Sequence, residues 1–144
     1  MSALFEHSPW VEARADARPS SGDRHADLMA VVYDATPEER LALIRAHPEL
    51  AGKAAIALTE ASAAEQASAG LDRLSQAELE RFHALNAAYR EKFGFPFIIC
   101  VRLTDKAGIL AAMQRRLAHD RETEIATAIE EIGKIVRLRL EAHA

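Results

Sequence analysis

The sequence predicts an all-α fold, in which residues 1–144 form a single compact domain of about seven helices. Three observations lead to this prediction. Apolar residues recur at three- and four-residue spacing along most of the chain, which is the period of an amphipathic helix. Capping residues precede these stretches, and glycine closes two of them. Only residues 95–103 have the composition of a buried extended segment, and no second stretch could pair with it as a strand.

The first two helices are indicated by capping residues. Ser8 is a suitable N-cap, and Pro9 after it suits the first helical position, so the first helix should begin there. A short loop over Pro19–Gly22 separates it from a second helix. That helix should span Asp23–Tyr33, which carries an apolar face.

The third helix should begin after Thr36, which is followed by Pro37 and two glutamates, and should run to about Ala46. Pro48 disfavours helical geometry at the residue before it. His47 should therefore stand at the helix C-terminus, near the negative end of the helix dipole. A histidine there can simply stabilise the helix end, or it can transfer protons, since imidazole titrates near neutral pH.

The motif Ser62-x-x-Glu65, followed by Gln66, also has two interpretations. Its spacing is that of a capping box, with Gly70 closing a short helix. Alternatively, the motif belongs to a site, because an acid next to His47 in space would form a general acid–base pair with the imidazole. The pattern alone leaves both interpretations open.

Two more helices are predicted around the extended segment. Ser75 and Glu78 form a capping box for a helix that ends at Gly94. The pair Thr104-Asp105 can cap the helix that follows the segment. The buried segment near residues 95–103 therefore connects two helices.

The last helix should run over residues 120–140. Its core face is expected to consist of Ile125, Ile129, Ile132, Val136 and Leu140. Arg137 and Arg139 lie in its last turns, and each could be a solvated charge. Arg139 fits the helix pattern less cleanly, so it could instead point into a pocket and bind a carboxylate bidentately.

Composition argues against several classes of function. A net charge of -4 without a basic stripe argues against nucleic-acid binding, and no stretch approaches the roughly 20 apolar residues of a membrane span. The single cysteine, Cys100, permits no internal disulfide and fits a reducing, cytoplasmic setting. No histidines or cysteines have metal-ligand spacing, so no metal site is expected. Four histidines are expected to be solvated: His25, His83, His119 and His143.

Five motifs together resemble those of a known family. They are FEHSPWV (5–11), RAHPELAGK (45–53), SAAEQASAGL (62–71), LNAAYREKFGFPFIICVR (85–102) and IGKIVRLRL (132–140). In this order they resemble the 2-oxo-4-hydroxy-4-carboxy-5-ureidoimidazoline (OHCU) decarboxylases of urate breakdown. The resemblance covers nearly the whole chain.

The resemblance implies an all-α homodimer that removes CO2 from OHCU and delivers a proton to give (S)-allantoin, with no metal or organic cofactor. It makes His47 the proton donor and Glu65 the residue that orients the substrate. It also implies substrate contacts, largely through backbone groups in the segment after Gly94 and with Arg139 as the better match than Arg137. The implied substrate-binding residues are Pro48, Ser62, Ala63, Ala64, Glu65, Gln66, Phe97, Ile98, Ile99, Cys100, Val101 and Arg139.

The main alternative is a non-catalytic helical interaction module. It would explain the caps and the apolar stripes, but not a buried extended run after Gly94. Such a module should expose an apolar patch and have no pocket near His47. A related enzyme that acts on another ureido or imidazoline compound is a second alternative.

Overall fold

Seven α-helices and one 3₁₀ turn form the regular structure of the described part of the chain. The computed structural model describes residues 4–5, 7–47, 50, 60–71 and 73–142, with the backbone alone for residues 60–62. In chain order the helices are α1 (Trp10–Asp16), α2 (Arg24–Asp34), α3 (Pro37–Arg45), α4 (Glu60–Ser68), α5 (Gln76–Phe93), α6 (Lys106–Arg116) and α7 (Arg121–Ala142). No strand occurs among these residues, so the predicted all-α class is confirmed.

Side-chain caps fix where five of the helices begin, and in α7 the Asp120 carboxylate accepts from the Thr123 N–H at 2.8 Å. The capping residues of α2, α3, α5 and α6 are Asp23, Thr36, Ser75 and Asp105. Each accepts a hydrogen bond from the backbone N–H three residues further on. In α3 and α5 the capping box is complete, because Glu39 and Glu78 return a hydrogen bond to the N–H of the cap. The starts of α2, α3, α5 and α6 agree with the sequence prediction.

Two helices do not begin where the sequence predicts. The N-cap of α1 is Pro9 rather than Ser8, and it makes no side-chain capping hydrogen bond. Pro9 has φ -66° and ψ -13°, so helical geometry is already present there, and the first assigned helical residue is Trp10. Helix α4 begins at Glu60, which places Ser62 inside the helix rather than at its N-cap. The capping-box interpretation of that motif is therefore wrong.

Helix α7 has a central position, because α2 and α3 both pack against it, while α1 packs on α2 and α6 on α5. An aromatic cluster fills the space beside α5 and the segment that follows it: Tyr89, Phe93, Phe95 and Phe97. All four rings are buried. Their centroids lie 4.6 to 6.0 Å apart, mostly in the tilted and edge-to-face geometries that aromatic rings prefer.

The buried face of α7 is more polar than the sequence predicts. Ile125 and Leu140 are only half-buried, while the other three expected core residues are buried. Three charged residues are buried in the same helix: Glu124, Glu131 and Arg139. Each of them contacts a polar group from another part of the chain, and such partners offset the cost of burying a charge.

The segment between α5 and α6 is buried and irregular as predicted, but it is shorter. Gly94 ends α5 with a φ of 80°, which glycine adopts without strain. Residues 95–100 then form neither helix nor strand. Val101–Leu103 forms the 3₁₀ turn, and its last two residues are exposed. The extended segment therefore ends at Cys100, because the turn returns the chain to the surface before α6.

Candidate active site

A narrow pocket lies where the end of α3, helix α4, the segment after α5 and the C-terminal half of α7 meet. Its described lining residues are His47, Leu50, Glu65, Gln66, Phe97, Ile98, Ile99, Cys100, Val101, Arg102, Ile135, Leu138 and Arg139. Most of these are apolar, with polar groups from several elements among them, as in many small-molecule sites. The free volume is about 30 Å³, roughly the room of two water molecules.

His47 reaches the pocket from the C-terminal end of α3. The capping box fixes the start of this helix, and Ala46 is its C-cap. The His47 N–H donates to the Ile44 carbonyl at 3.2 Å, which holds the residue against the helix end. His47 is 5% exposed, and the negative end of the helix dipole favours its protonated form. The structure thus places a buried imidazole at the pocket wall.

Glu65 and Arg139 form a bidentate ion pair in the pocket. The Nε and Nη2 atoms of Arg139 donate to the two carboxylate oxygens of Glu65, both at 2.8 Å. Arg139 Nη1 donates to the Leu4 carbonyl at 3.1 Å. The side chains of Arg139 and Glu65 are only 4% and 12% exposed, so each charge depends on the other. The resemblance implies that both residues contact a substrate, and the sequence analysis does not predict that they bind each other.

Arg139 rather than Arg137 belongs to this pocket. Arg137 is exposed and does not line it, and its Nη2 lies 3.1 Å from Nδ1 of His25. The other ring nitrogen of His25 lies 2.8 Å from the Gly133 carbonyl, which can only accept. His25 therefore donates from Nε2 and accepts from Arg137 at Nδ1. The expectation that His25 is simply solvated is wrong.

Helix α4 contributes Glu65 and Gln66 to the pocket. The two alanines before them are exposed and do not line it. The side chain of Ser62 and all of Pro48 lie outside the described residues. Substrate-binding roles stay predictions for Pro48, Ser62, Ala63 and Ala64, as they do for the predicted residues that line the pocket.

Residues 97–101 form one continuous wall, and all five line the pocket together with Arg102. Burial raises the pKa of the Cys100 thiol, and the nearby Glu131 carboxylate adds to the shift. The thiol is therefore protonated near neutral pH, which disfavours a nucleophilic role. No group of three or more His, Cys, Asp or Glu in the described part of the chain could hold a metal ion.

Several residues at the pocket are missed by the sequence analysis. Leu50 lines it, and the buried Asn86 of α5 donates from Nδ2 to the Leu50 carbonyl at 2.8 Å. Ile135 and Leu138 line it from α7. The local pattern does not distinguish these apolar residues from other core positions. An asparagine on the apolar stripe of α5 is, by contrast, a signal that can be read from the sequence.

Comparison with known proteins relates the chain to one family. The family model described as OHCU decarboxylase matches residues 1–141. A 2-oxo-4-hydroxy-4-carboxy-5-ureidoimidazoline decarboxylase of Haloferax volcanii is 46% identical over 140 residues, which are 95% of this chain and 82% of that protein. A uric acid degradation bifunctional protein of Bacillus subtilis is 41% identical over 97% of this chain and 28% of its own length.

A solved structure has the same fold. It is the crystal structure of an OHCU decarboxylase in the presence of (S)-allantoin, with a TM-score of 0.73 over 94% of this chain and 91% of that chain. The sequence identity is 22%, so this likeness concerns the fold alone.

Proposed function

The chain belongs to the OHCU decarboxylase family, and on this premise we propose that it converts OHCU to (S)-allantoin and CO2 in urate degradation. The observation that carries the proposal is that His47, Glu65 and Arg139 line the same pocket. His47 directly follows α3, Glu65 lies in α4 and Arg139 lies in α7. Together they offer a proton donor and a paired carboxylate and guanidinium that can orient a substrate, which suits decarboxylation with directed protonation.

The proposed reaction uses the substrate as its own electron sink. OHCU carries its carboxylate on a ring carbon next to a C=N bond. When the bond to the carboxylate breaks, its electron pair moves towards the C=N unit, and a proton then completes the product. A pyridoxal or thiamine cofactor would supply the same sink, so none is needed in this proposal. The protein contributes orientation, a proton and charge stabilisation.

His47 is the proposed proton donor. It is buried at the end of α3, where the helix dipole favours the protonated imidazole. A positioned general acid typically contributes ~10²–10⁴-fold to a rate. Because the donor is fixed in one wall of the pocket, it would protonate only one face of the bound ring. That would account for a single stereoisomer of the product.

Glu65 and Arg139 are proposed to act together. An ionised carboxylate has about four lone-pair sites, and Arg139 uses two of them. Glu65 can therefore still accept a hydrogen bond from the substrate hydroxyl while it remains paired. The pair has no net charge, so its main effect would be to orient the substrate rather than to charge the pocket.

The remaining substrate contacts follow the family resemblance. Backbone N–H and C=O groups of residues 97–101 are proposed to bind the ureido and ring amide groups. Pro48 and residues 62–66 would complete the site.

The proposal is tested by following OHCU that is generated in situ from urate, in buffer containing EDTA. Spontaneous decay gives racemic allantoin, so circular dichroism reports the enzymatic route. We expect the circular dichroism signal of the product to rise faster in the presence of the protein than OHCU decays in its absence. Racemic product at the spontaneous rate would contradict the proposal, and activity only without EDTA would contradict its cofactor-free form.

The competing interpretations predict other outcomes. A non-catalytic interaction module would leave OHCU decay unchanged, and it would give no reason for a pocket at His47. An enzyme for another ureido or imidazoline compound would convert OHCU poorly but convert that compound well. Measuring kcat/KM for OHCU and for ring-substituted ureido compounds separates these two cases.

We further propose that the protein is a homodimer of the cytoplasm, as the family resemblance and the single cysteine suggest. Tyr33 and Leu103 are the exposed large apolar side chains of the described residues, and both line one groove beside α7. This groove is the candidate contact surface. Sedimentation equilibrium of the wild type and Leu103→Glu tests it, and a monomeric wild type would contradict the dimer. None of the described helices is long and apolar enough to cross a membrane.

A further inference from the structure

Ile99 and Cys100 form a thin wall between two cavities. On one side is the pocket that contains His47. On the other side is a second cavity of about 230 Å³, the rear cavity, which the same two residues line. Arg116 from α6 and Glu131 from α7 also line the rear cavity, and neither lines the pocket. The wall can therefore be held from behind by side chains that do not reach the pocket.

Arg116 holds the start of this wall. Its Nη1 donates to the Ile98 carbonyl at 2.7 Å, and its guanidinium lies over the Phe97 ring, 4.3 Å from the centroid. Its Nε donates to Glu124 at 2.8 Å, which fixes the plane of the guanidinium. Arg116 is buried, so water competes little with these contacts. The Ile98 carbonyl is consequently directed towards α6.

Glu131 holds the wall two residues later. Its Oε1 accepts the Cys100 N–H at 2.8 Å, and its Oε2 accepts from Lys134 Nζ at 2.6 Å. A hydrogen bond to an ionised carboxylate is stronger than one between neutral groups. The Lys134 side chain is 53% exposed and compensates the charge of the buried carboxylate from the solvent side. The Cys100 N–H is consequently directed towards α7.

The hydrogen bonds at the Ile98 carbonyl and the Cys100 N–H determine the direction in which the backbone groups of Ile99 point. In an extended chain, the backbone N–H and C=O groups of successive residues point to opposite sides. The peptide groups on both sides of Ile99 are trans, so its N–H points away from the Ile98 carbonyl and its C=O points away from the Cys100 N–H. With Ile98 and Cys100 bound from the rear, the N–H and C=O of Ile99 face the pocket. None of the backbone–backbone hydrogen bonds between described residues involves the N–H or C=O of Ile99.

We propose that Glu131 and Arg116 are positioning residues for the reaction, which hold the backbone groups of Ile99 towards the substrate from the rear cavity. This inference rests on the proposed function, because it assigns the substrate as the partner of these groups. A ureido or ring amide unit carries a donor and an acceptor side by side, which complements one C=O and one N–H. Buried backbone groups need partners, and the substrate would supply them.

Glu131 is the better residue for a test. Removing Arg116 would leave Glu124 without its buried cation, which is strongly destabilising. Glu131→Leu and Glu131→Ala both remove the acceptor of the Cys100 N–H, while Glu131→Gln keeps an acceptor oxygen in nearly the same place. Lys134→Met is the matched control, because it removes the other partner of Glu131 and leaves the wall contact intact.

Steady-state kinetics with OHCU and melting temperatures are measured on the same preparations. We expect KM to rise at least about tenfold in Glu131→Leu and Glu131→Ala, with kcat changed less than about threefold, because the lost contact orients a group that binds substrate. Glu131→Gln and Lys134→Met should stay within about threefold of the wild-type KM.

Three results would overturn the positioning role: a wild-type KM in both truncations, a lower melting temperature with unchanged kinetics, or an equal loss in Glu131→Gln. Failure of the proposed function has a different signature. In that case the wild-type protein itself leaves the rate and the racemic outcome of OHCU decay unchanged.

Discussion

At the scale of single residues, the pair between Glu65 and Arg139 has the clearest energetic consequence. Arg139 is almost fully buried, and both oxygens of Glu65 bind it. Glu65→Ala would leave the guanidinium in the interior without its carboxylate. Breaking a buried pair in this way costs about 3–5 kcal/mol. We therefore expect the urea midpoint to fall markedly, in addition to any loss of activity.

A surface pair in the same protein is the control. Arg18 and Asp34 also bond at 3.0 Å, but their side chains are 44% and 65% exposed. Asp34→Ala should cost only about 0–1 kcal/mol, because water screens exposed pairs. Equal midpoints for Glu65→Ala and Asp34→Ala would show that the pocket pair contributes no more than an exposed one.

His47→Gln should abolish the acceleration of OHCU decay and leave the fold intact. Glutamine has a similar bulk but cannot transfer a proton, so we expect a loss of at least ~10²-fold in kcat. Circular dichroism at the product band and a melting curve measure both effects. His83→Gln is the control, since His83 lies on α5 and does not line the pocket. Substantial turnover by purified His47→Gln would exclude His47 as the proton donor.

The sequence identifies these residues more readily than it predicts their contacts. His47 is marked by the proline after it, and Arg139 by its poor fit to the pattern of the last helix. Their roles come from the resemblance. The bond between Glu65 and Arg139 spans 74 residues and depends on how α4 and α7 pack. Neither periodicity nor capping contains that information.

At the scale of elements, helix starts could be predicted where a side chain bonds to the backbone three residues away. Thr36, Ser75 and the two aspartates that cap α2 and α6 are of this kind. The start of α4 could not be predicted, because Ser62-x-x-Glu65 has the same letters as a cap while Glu65 bonds across the molecule. Distinguishing the two requires the tertiary structure.

The acid stability of α3 should depend on Glu39. The hydrogen bond from Arg14 lowers the pKa of Glu39 to about 2, and the Thr36 N–H adds to this effect. Because the pKa of Glu39 is lower in the folded protein, the ionised side chain stabilises the fold above the ordinary carboxyl pKa. This stabilisation is lost as the pH falls towards 2. Glu39→Gln keeps the capping box but loses the charge. We expect its melting temperature to lie below wild type at pH 6 and to converge with it at low pH.

Thermal unfolding from pH 7 to pH 2 checks this expectation. Glu38→Gln is the matched control, because it removes an acid from the same first turn without touching Arg14. A difference in melting temperature between Glu39→Gln and wild type that stays constant down to pH 2 would contradict the lowered pKa of Glu39.

At the scale of the whole molecule, one carboxylate connects three helices. Glu124 of α7 accepts from Tyr89 of α5 at 2.5 Å and from Arg116 of α6 at 2.8 Å. His119, which was expected to be solvated, lies 2.8 Å from the other oxygen of Glu124. Through Arg116 the cluster continues to the Ile98 carbonyl at the pocket wall. Only the fold creates this cluster, since Glu124 reads as an ordinary first-turn acid in the sequence.

Tyr89→Phe should reduce stability near neutral pH, and the difference should shrink in alkali. Burial raises the pKa of the Tyr89 phenol well above its ordinary value, and the hydrogen bond to Glu124 adds to the rise. A raised folded pKa means that the hydroxyl contributes fully below about pH 10 and loses its contribution as the pH rises further. Hydrogen bonds to charged groups contribute about 1.5–3 kcal/mol. The variant lacks this contribution at every pH. The free energy of unfolding of the wild type should therefore approach that of the variant above about pH 10.

Urea unfolding at pH 8 and pH 11 measures this convergence. Tyr33→Phe is the natural control, because Tyr33 is the other tyrosine of the chain and is 57% exposed. Removal of the Tyr33 hydroxyl should leave the free energy of unfolding nearly unchanged at both pH values. If the cost of Tyr89→Phe is the same at pH 8 and pH 11, the Tyr89 phenol ionises equally in the folded and unfolded chain. That result would mean that the hydroxyl is not buried against Glu124, and the cluster could then not connect α5 to the pocket wall.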